Sequence, residues 1–129
     1  LKGVMTPSAA ERAARAGADG VVVSNHGGRV LDGVPSTAEA LPGIAQAVGG
    51  DLEVLVDGGI RSGVDVFRAL ALGANACLVC RPFVVAAFGG GEGGVFAYLE
   101  QLKAELTDTM EMCGAASIAA IDESVLWRG

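Results

Sequence analysis

The sequence predicts an α/β fold with a parallel sheet, and three observations indicate it. Four short apolar segments of strand length alternate with segments whose apolar residues recur at helical spacing. One short segment, Gly20–Val23, contains three consecutive valines, a run typical of a strand covered on both faces. Residues 15–21 and 71–77 resemble each other, which indicates that a βα unit repeats.

The predicted strands lie at residues 1–4, 20–23, 51–56 and 76–79, and a helix is expected after each. This alternation is that of consecutive units of a parallel α/β fold. A complete eight-unit barrel takes about 250 residues, and this chain of 129 residues has close to half that length. The spacing therefore predicts a single domain, residues 1–129, that forms half of such a barrel.

The helix starts are predicted from capping patterns, in which side-chain oxygens satisfy free backbone N–H groups. They are Thr6-Pro7 for the first helix, Ser36 with Glu39 for the second, and Ser62 with Asp65 for the third. We expect the second helix to be re-initiated at Pro42. After the last strand, an apolar helix at 83–88 and a flexible break at 89–94 precede a long amphipathic helix that ends at Cys113.

Composition disfavours several classes of partner. The net charge is −6 at pH 7 and no basic stripe is present, so no nucleic-acid partner is expected. No apolar run approaches the roughly 20 residues that span a bilayer, which predicts no membrane partner. Three irregularly spaced cysteines favour reduced thiols and a cytoplasmic location.

The residues after the second predicted strand form the first candidate site. Residues 24–29 (SNHGGR) contain the only histidine of the chain, His26, three positions before Arg29. The carboxyl ends of strands hold the active sites of α/β folds. Imidazole can take a proton near neutral pH, and a guanidinium can bind a small carboxylate through two hydrogen bonds. A lone loop histidine and a solvated loop cation are the alternatives.

The third and fourth predicted strands lead into a second candidate site. Asp57, Gly58 and Gly59 follow the third strand, with Arg61 close behind, and Arg81 follows the fourth. Glycines let a ligand approach the backbone, and the amino terminus of a helix attracts anions. Phosphate sites in such barrels lie after the seventh and eighth strands. We therefore predict a phosphate site, although the DGG turn taken alone is equally compatible with a structural turn.

Three further features have competing interpretations. Lys2 is either a surface cation or a positive charge beside an electron-accepting ring attached to the phosphate. Asp32 either orients the histidine or the arginine, or shapes a turn with Gly33, and the turn is favoured. Cys77 and Cys80 have the spacing of a metal or redox pair, but on a strand they face opposite sides. Structural thiols are therefore favoured, and no metal site is predicted.

Taken together, these motifs resemble the FMN-dependent 2-hydroxy-acid oxidases and dehydrogenases, the family of glycolate oxidase, lactate oxidase, lactate monooxygenase and flavocytochrome b2. The resemblance extends over nearly the whole length. The motifs that carry it are residues 1–3 (LKG), 24–29 (SNHGGR) with Leu31-Asp32, 57–63 (DGGIRSG) and 81–82 (RP). The resemblance implies the carboxyl-terminal half of a TIM (β/α)8 barrel, strands five to eight, with FMN at the carboxyl ends of the strands.

The resemblance also implies roles for the candidate residues. His26 resembles the active-site base, and Arg29 the group that binds the substrate carboxylate. The others resemble cofactor contacts: Lys2 at the flavin ring, and Asp57, Gly58, Gly59, Arg61 and Arg81 at the ribityl chain and phosphate. The implied reaction is the oxidation of a small L-2-hydroxy acid, of the lactate or glycolate type, to the 2-oxo acid. The base removes either the Cα proton or the hydroxyl proton.

The chain departs from the family pattern at two positions. Cys80 stands where the family usually has glycine, and its β-carbon is expected to crowd the phosphate; Val30 replaces the usual glutamine. The first half of the family's barrel supplies further flavin contacts, substrate-binding tyrosines and the aspartate that partners the histidine. We therefore expect little or no turnover by the chain alone. We also expect it to form homo-oligomers or to associate with the missing amino-terminal half.

Two other functions are weighed against the oxidoreductase. A non-catalytic half-barrel would serve as a self-associating or phosphate-binding module, and its association would not require flavin. A diphosphate isomerase of the flavin type would share the barrel and the phosphate site. The pairing of His26 with Arg29 disfavours the isomerase, because its reaction needs no carboxylate clamp.

Overall fold

Four parallel strands, side by side in chain order, form the sheet of the protein in a computed structural model that describes residues 1–127. They are β1 (Lys2–Val4), β2 (Gly20–Val23), β3 (Glu53–Val56) and β4 (Ala76–Cys77). Every neighbouring pair is parallel. The predicted succession of βα units is therefore confirmed, with β1 one residue shorter than expected and β3 and β4 each two residues shorter.

Helices α1 (Pro7–Arg15), α2 (Thr37–Val48), α3 (Gly63–Ala71) and α4 (Arg81–Cys113) follow the four strands in turn. The predicted caps are present, and α2 and α3 both begin with complete capping boxes.

Helix α2 continues through Pro42, so the new start expected there is wrong. Proline removes one backbone donor and its ring crowds the carbonyl four residues earlier. Here that position is Ala38, in the first turn of α2. Leu41 and Ile44, on either side of the proline, are both fully buried and hold the two parts of the helix against the sheet.

Helix α4 consists of two segments that reverse direction at Gly91, where φ is 56° and ψ is −140°. In a straight helix Phe83 and Tyr98 would be about 22 Å apart along the axis. Their ring centroids are instead 4.9 Å apart. Gly94 also lies against the Ala86 carbonyl, because a β-carbon on this glycine would be 2.3 Å from that oxygen. The expected break within residues 89–94 is therefore a one-residue reversal rather than a flexible stretch.

One face of the sheet is covered by helices and the other is open. Val21, Val23 and Val56 are at most 2% exposed, whereas the alternate residues Val22 and Leu55 are only partly buried. The expectation that the valine strand is covered on both faces is therefore wrong. Alternation along a strand places every second side chain on the open face.

A second, smaller core joins α3 to the later part of α4 and to the residues after it. Phe67, Ala71, Ala115 and Ile121 are buried together there. At the start of α3, a β-carbon on Gly63 would lie 2.2 Å from the Leu106 backbone nitrogen. The absence of a side chain at Gly63 therefore allows α3 to begin directly against the backbone of α4.

The first segment of α4 exposes large apolar side chains, with Val85 72% and Phe88 91% accessible. Among the helices of residues 1–127, α4 is long and apolar enough to cross a membrane, judged by length and composition only. The expectation that no segment reaches this length is wrong on that test. The apolar stretch includes Gly91, however, and the chain reverses there.

The three cysteines are free, and Cys77 is the most buried of them. Within the described residues, no group of three or more histidine, cysteine or carboxylate side chains is arranged to hold a metal ion. Burial raises the pKa of the Cys77 thiol to about 11. This favours the interpretation of Cys77 as a structural thiol, because the reactive form is the thiolate.

We predict that Cys77 is the last of the three thiols to react with iodoacetamide at about pH 8. With a pKa of about 11, roughly one thiol in a thousand is ionised at that pH. Cys80 and Cys113 are exposed and serve as internal controls. Peptide mass spectrometry after timed alkylation gives the order, and a Cys77 that reacts as fast as Cys113 would contradict the prediction.

Candidate functional site

A cleft of about 550 Å³ opens where the carboxyl ends of the four strands meet. Parallel strands in chain order bring these ends to one edge of the sheet. All eight residues predicted from the sequence line this cleft: Lys2, His26, Arg29, Asp57, Gly58, Gly59, Arg61 and Arg81. The structure therefore brings the base-bearing loop, the double-glycine turn and the two later arginines to one place.

A polar network joins three strand tips on the open face. Ser24 and Asp57 follow Val22 and Leu55 by two residues, so both continue the open face. Lys2 Nζ donates to Ser24 Oγ at 2.7 Å and forms an ion pair with Asp57. Ser24 is 1% exposed. Ser24 is not among the predicted site residues, although its spacing from the strand interior places it beside Lys2 and Asp57.

One oxygen of the Asp57 carboxylate has no hydrogen-bond partner among the described residues. This atom, Oδ1, is buried. Buried acceptors in folded proteins are nearly always paired, and an exception indicates a missing donor. A ligand hydroxyl group in the cleft is a donor of the right kind.

The only histidine has a strained backbone. Among residues 1–127, His26 is the one non-glycine residue with positive φ, at 56°. Two hydrogen bonds hold the loop: the His26 N–H donates to Ser24 Oγ at 3.2 Å, and the Gly27 N–H to Asn25 Oδ1 at 3.0 Å. Strain maintained in this way is characteristic of functional positions. This conformation favours a functional role for His26 over a lone loop histidine.

Two side chains of the site, those of His26 and Arg81, pack closely against glycines. A β-carbon on Gly3 would lie 3.0 Å from His26 Cε1, so the imidazole lies directly over β1. A β-carbon on Gly27 would lie 3.3 Å from Arg81 Nη2, so this guanidinium lies against the histidine loop. The tips of β1, β2 and β4 are thus in mutual contact through these side chains.

The double-glycine turn is held by a buried hydroxyl at the start of α2. Thr37 is 3% exposed, and its Oγ1 donates to the Asp57 carbonyl at 2.7 Å. A β-carbon on Gly58 would come within 3.1 Å of Thr37 Oγ1. A β-carbon on Gly59, in contrast, would meet nothing within 4 Å. The turn is therefore packed on one side, at Gly58, and has room for a ligand at Gly59.

The two helix amino termini at the cleft differ in what they offer to an anion. At α3, Asp65 and Glu105 accept the backbone N–H groups of residues 61–63. The free N–H groups that the sequence analysis expected at this terminus are thus already occupied by carboxylates. At α4, which begins at Arg81, the N-cap residue Cys80 makes no side-chain capping bond. The start of α4 is therefore the better anion position.

The cleft gathers positively charged side chains, although the chain as a whole is acidic. Arg29, Arg61 and Arg81 are exposed and form no ion pair with any carboxylate of residues 1–127. Of the cleft cations, only Lys2 forms an ion pair within these residues, with Asp57. A chain of net charge −6 thus gathers three unpaired guanidinium groups in one cleft, an arrangement suited to a ligand with several negative charges.

Two neighbouring residues have less direct roles. Asp32 does not line the cleft; its Oδ1 accepts the Gly33 N–H at 3.0 Å, in agreement with the turn interpretation. Cys80 does line the cleft, beside Arg81, and the expected crowding of a phosphate there stays a prediction.

Comparison with known proteins agrees with this arrangement. Residues 1–128 match the family described as FMN-dependent dehydrogenase. The chain is 50% identical over 129 residues to an L-lactate dehydrogenase of Chromohalobacter salexigens, covering 100% of this chain and 33% of that protein. It is 52% identical over 126 residues to an L-lactate dehydrogenase of Pectobacterium atrosepticum, covering 98% and 33%. The chain therefore spans about a third of the length of the curated relatives it matches.

Solved structures give the same result. A mandelate oxidase variant with a monooxide FMN adduct has a TM-score of 0.92 at 52% identity, covering 94% of this chain and 38% of that one. Mandelate oxidase with benzoyl-formic acid has a TM-score of 0.91 at 52% identity, covering 94% and 36%. On the match over residues 1–128, the chain belongs to the FMN-dependent dehydrogenase family.

Proposed function

We propose that the chain is the catalytic carboxyl-terminal half, strands five to eight, of an FMN-dependent (β/α)8 barrel. Its reaction is the oxidation of a small L-2-hydroxy acid, of the lactate or glycolate type, to the 2-oxo acid. The observation that carries this proposal is the convergence of His26 and Arg29 with the double-glycine turn and its arginines in one cleft. The names of its relatives, L-lactate dehydrogenase and mandelate oxidase, support the substrate class.

The donor set of the cleft fits FMN. Arg61 and Arg81 provide the cations for its phosphate, beside the uncapped start of α4. The unpartnered Asp57 Oδ1 would accept from a ribityl hydroxyl, and the open backbone at Gly59 leaves room for the ribityl chain. Lys2 Nζ would provide positive charge at the ring. When bound, FMN supplies the acceptor for the two electrons removed from the substrate.

The substrate is bound and deprotonated by the loop after β2. Arg29 holds the carboxylate through paired N–H donors, which fixes the Cα atom relative to the imidazole. His26 then takes a proton from the substrate at an imidazole nitrogen, either from Cα or from the hydroxyl group. With FMN bound, the Lys2 ammonium would stabilise negative charge on the group that accepts the electrons.

The open side of the sheet supports the half-barrel proposal. Within residues 1–127, the outer edges of β1 and β4 pair with no other strand, and Val22 and Leu55 are only partly covered. Four further βα units would pair with both edges and cover this face. A homo-oligomer is the other assembly that would protect these edges, because unpaired strands invite association.

We predict that FMN binds to this chain about tenfold or more tightly than riboflavin, because the phosphate adds charge-assisted hydrogen bonds. Arg81→Ala should remove most of this preference while leaving riboflavin affinity unchanged. Quenching of flavin fluorescence measures both dissociation constants. The matched control is Arg68→Ala, because Arg68 is an exposed arginine of α3 outside the cleft.

Equal affinity of the unaltered chain for FMN and riboflavin would overturn the phosphate assignment. An equal loss of preference in the Arg81 and Arg68 variants would assign the effect to overall charge instead of to the cleft.

We predict that His26→Gln lowers the rate of flavin reduction by a 2-hydroxy acid about 100-fold or more, since the base is lost. The measurement is anaerobic bleaching of bound flavin by L-lactate or glycolate, in a polypeptide that joins this chain to the preceding half-barrel. Asp32→Asn, in the same loop but outside the cleft, should retain the rate. The chain alone should give little or no reduction, and rapid bleaching by it would show that the other half is dispensable.

The alternative function is a non-catalytic module that associates with itself or binds phosphate. The exposed apolar side chains of α4, Val85 and Phe88 among them, favour association of some kind. Analytical ultracentrifugation with and without FMN separates the two functions. Stable oligomers that neither bind flavin nor reduce it would favour the module. The expected cytoplasmic location and the absence of nucleic-acid and membrane partners stay predictions.

A further inference from the structure

One side chain of α4 contacts both segments that carry the phosphate arginines. The Tyr98 hydroxyl donates to the Arg61 backbone carbonyl at 2.8 Å. The Tyr98 ring packs edge-on against Phe83, with an interplanar angle of 76°. Phe83 follows Arg81 by two residues in the first segment of α4. Tyr98 therefore links the turn that carries Arg61 to the helical segment that carries Arg81.

This link matters because the two arginines come from separate pieces of chain. Arg61 follows β3, and Arg81 begins the first segment of α4, which reverses direction at Gly91. The later segment of α4 packs on α3, whereas the first segment exposes much of its surface. The contact between Phe83 and Tyr98 ties the exposed segment to the packed one near its start.

The face of α4 that carries Tyr98 also binds the chain after Ser62. Glu105 lies seven residues after Tyr98, two helical turns along, and its Oε2 accepts the Gly63 N–H at 2.7 Å. The chain on both sides of Ser62 is thus anchored to one helix face, at Arg61 by Tyr98 and at Gly63 by Glu105. Rotation of the Arg61 peptide is restrained by the first of these bonds.

Tyr98 remains a donor over the ordinary pH range. Burial raises the pKa of its hydroxyl, and the nearby carboxylates Glu105 and Asp65 raise it further. A protonated phenol is the form that can donate to a carbonyl.

We propose that Tyr98 is a positioning residue for the phosphate end of the cofactor: it sets the separation between Arg61 and Arg81 by holding the Arg61 carbonyl and packing on Phe83. This rests on the proposed function, because it takes the phosphate of FMN as the group that the two arginines bind. Tyr98 itself does not line the cleft. Its effect is therefore exerted through the two arginines.

The test is Tyr98→Phe, which removes one oxygen and keeps the ring against Phe83. The control is Thr109→Val on the same helix, where the lost hydroxyl donates within α4, to the Glu105 carbonyl at 2.6 Å. For each chain, fluorescence titration gives the dissociation constants of FMN and riboflavin. Their ratio isolates the contribution of the phosphate. We expect Tyr98→Phe to lower this preference about fivefold, the effect of one hydrogen bond, and Thr109→Val to leave it unchanged.

A second readout needs no ligand. Amide hydrogen exchange should quicken in Tyr98→Phe at residues 60–62 and in the first turn of α4, and stay unchanged there in Thr109→Val. A preference for FMN in the unaltered chain that Tyr98→Phe leaves intact would overturn the inference. Equal FMN and riboflavin affinities in the unaltered chain would instead overturn the proposed function. Equal changes in both variants would reduce Tyr98 to a general stabilising residue and also contradict its positioning role.

Discussion

The ion pair between Lys2 and Asp57 is the interaction on which the cleft depends most. It joins the tip of β1 to the tip of β3 across β2, and Ser24 on that middle strand accepts from the same ammonium. Both charged side chains are partly exposed, at 46% and 20%, so the pair adds little to overall stability. Its importance is geometric, because it engages one oxygen of Asp57, while the buried Oδ1 has no hydrogen-bond partner among the described residues.

The remaining charges of the cleft are arranged around that pair. Three arginines lie there without an ion-pair partner among residues 1–127, an arrangement that favours the binding of an anion. Arg29 comes from the histidine loop, whereas Arg61 and Arg81 come from the later strand ends, so the cations divide into two groups. The proposed function uses this division: one guanidinium holds a substrate carboxylate and the other two hold a cofactor phosphate. The chain as a whole is acidic, with a net charge of −6, so these arginines stand against the overall charge.

Much of this arrangement could be predicted from the sequence, because it depends on local patterns. Capping residues such as Ser62 mark helix starts, and polar residues directly after apolar strands mark the carboxyl edge of a parallel sheet. The continuation of α2 through Pro42 could not be predicted, because burial of its neighbours, a tertiary effect, outweighs the local cost of proline. The open sheet face shows two predictions in conflict. A run of valines predicts a strand covered on both faces, whereas half of a barrel leaves its inner face open. The open face is observed, because the elements that would cover it are not among residues 1–127.

The residues that hold the site in place were harder to find than those that line it. Thr37 and Tyr98 act through backbone carbonyls of Asp57 and Arg61, and nothing in their local sequence indicates such distant partners. The position of Ser24 in the site could have been predicted from the sequence, because it lies two residues beyond Val22 on the open face. Contacts between residues far apart in the chain follow from the fold, and they become visible only once the strand order and the reversal at Gly91 are known.

The most direct test of the central claim is a nitrogen–proton correlation spectrum of the labelled chain during titration with FMN. The claim is that one flavin nucleotide contacts all four strand ends. It predicts that amides near Lys2, His26, Asp57 and Arg81 shift together, with a single dissociation constant. Shifts confined to one strand end, or located in the cleft beside Ile121 at the other side of the molecule, would contradict it.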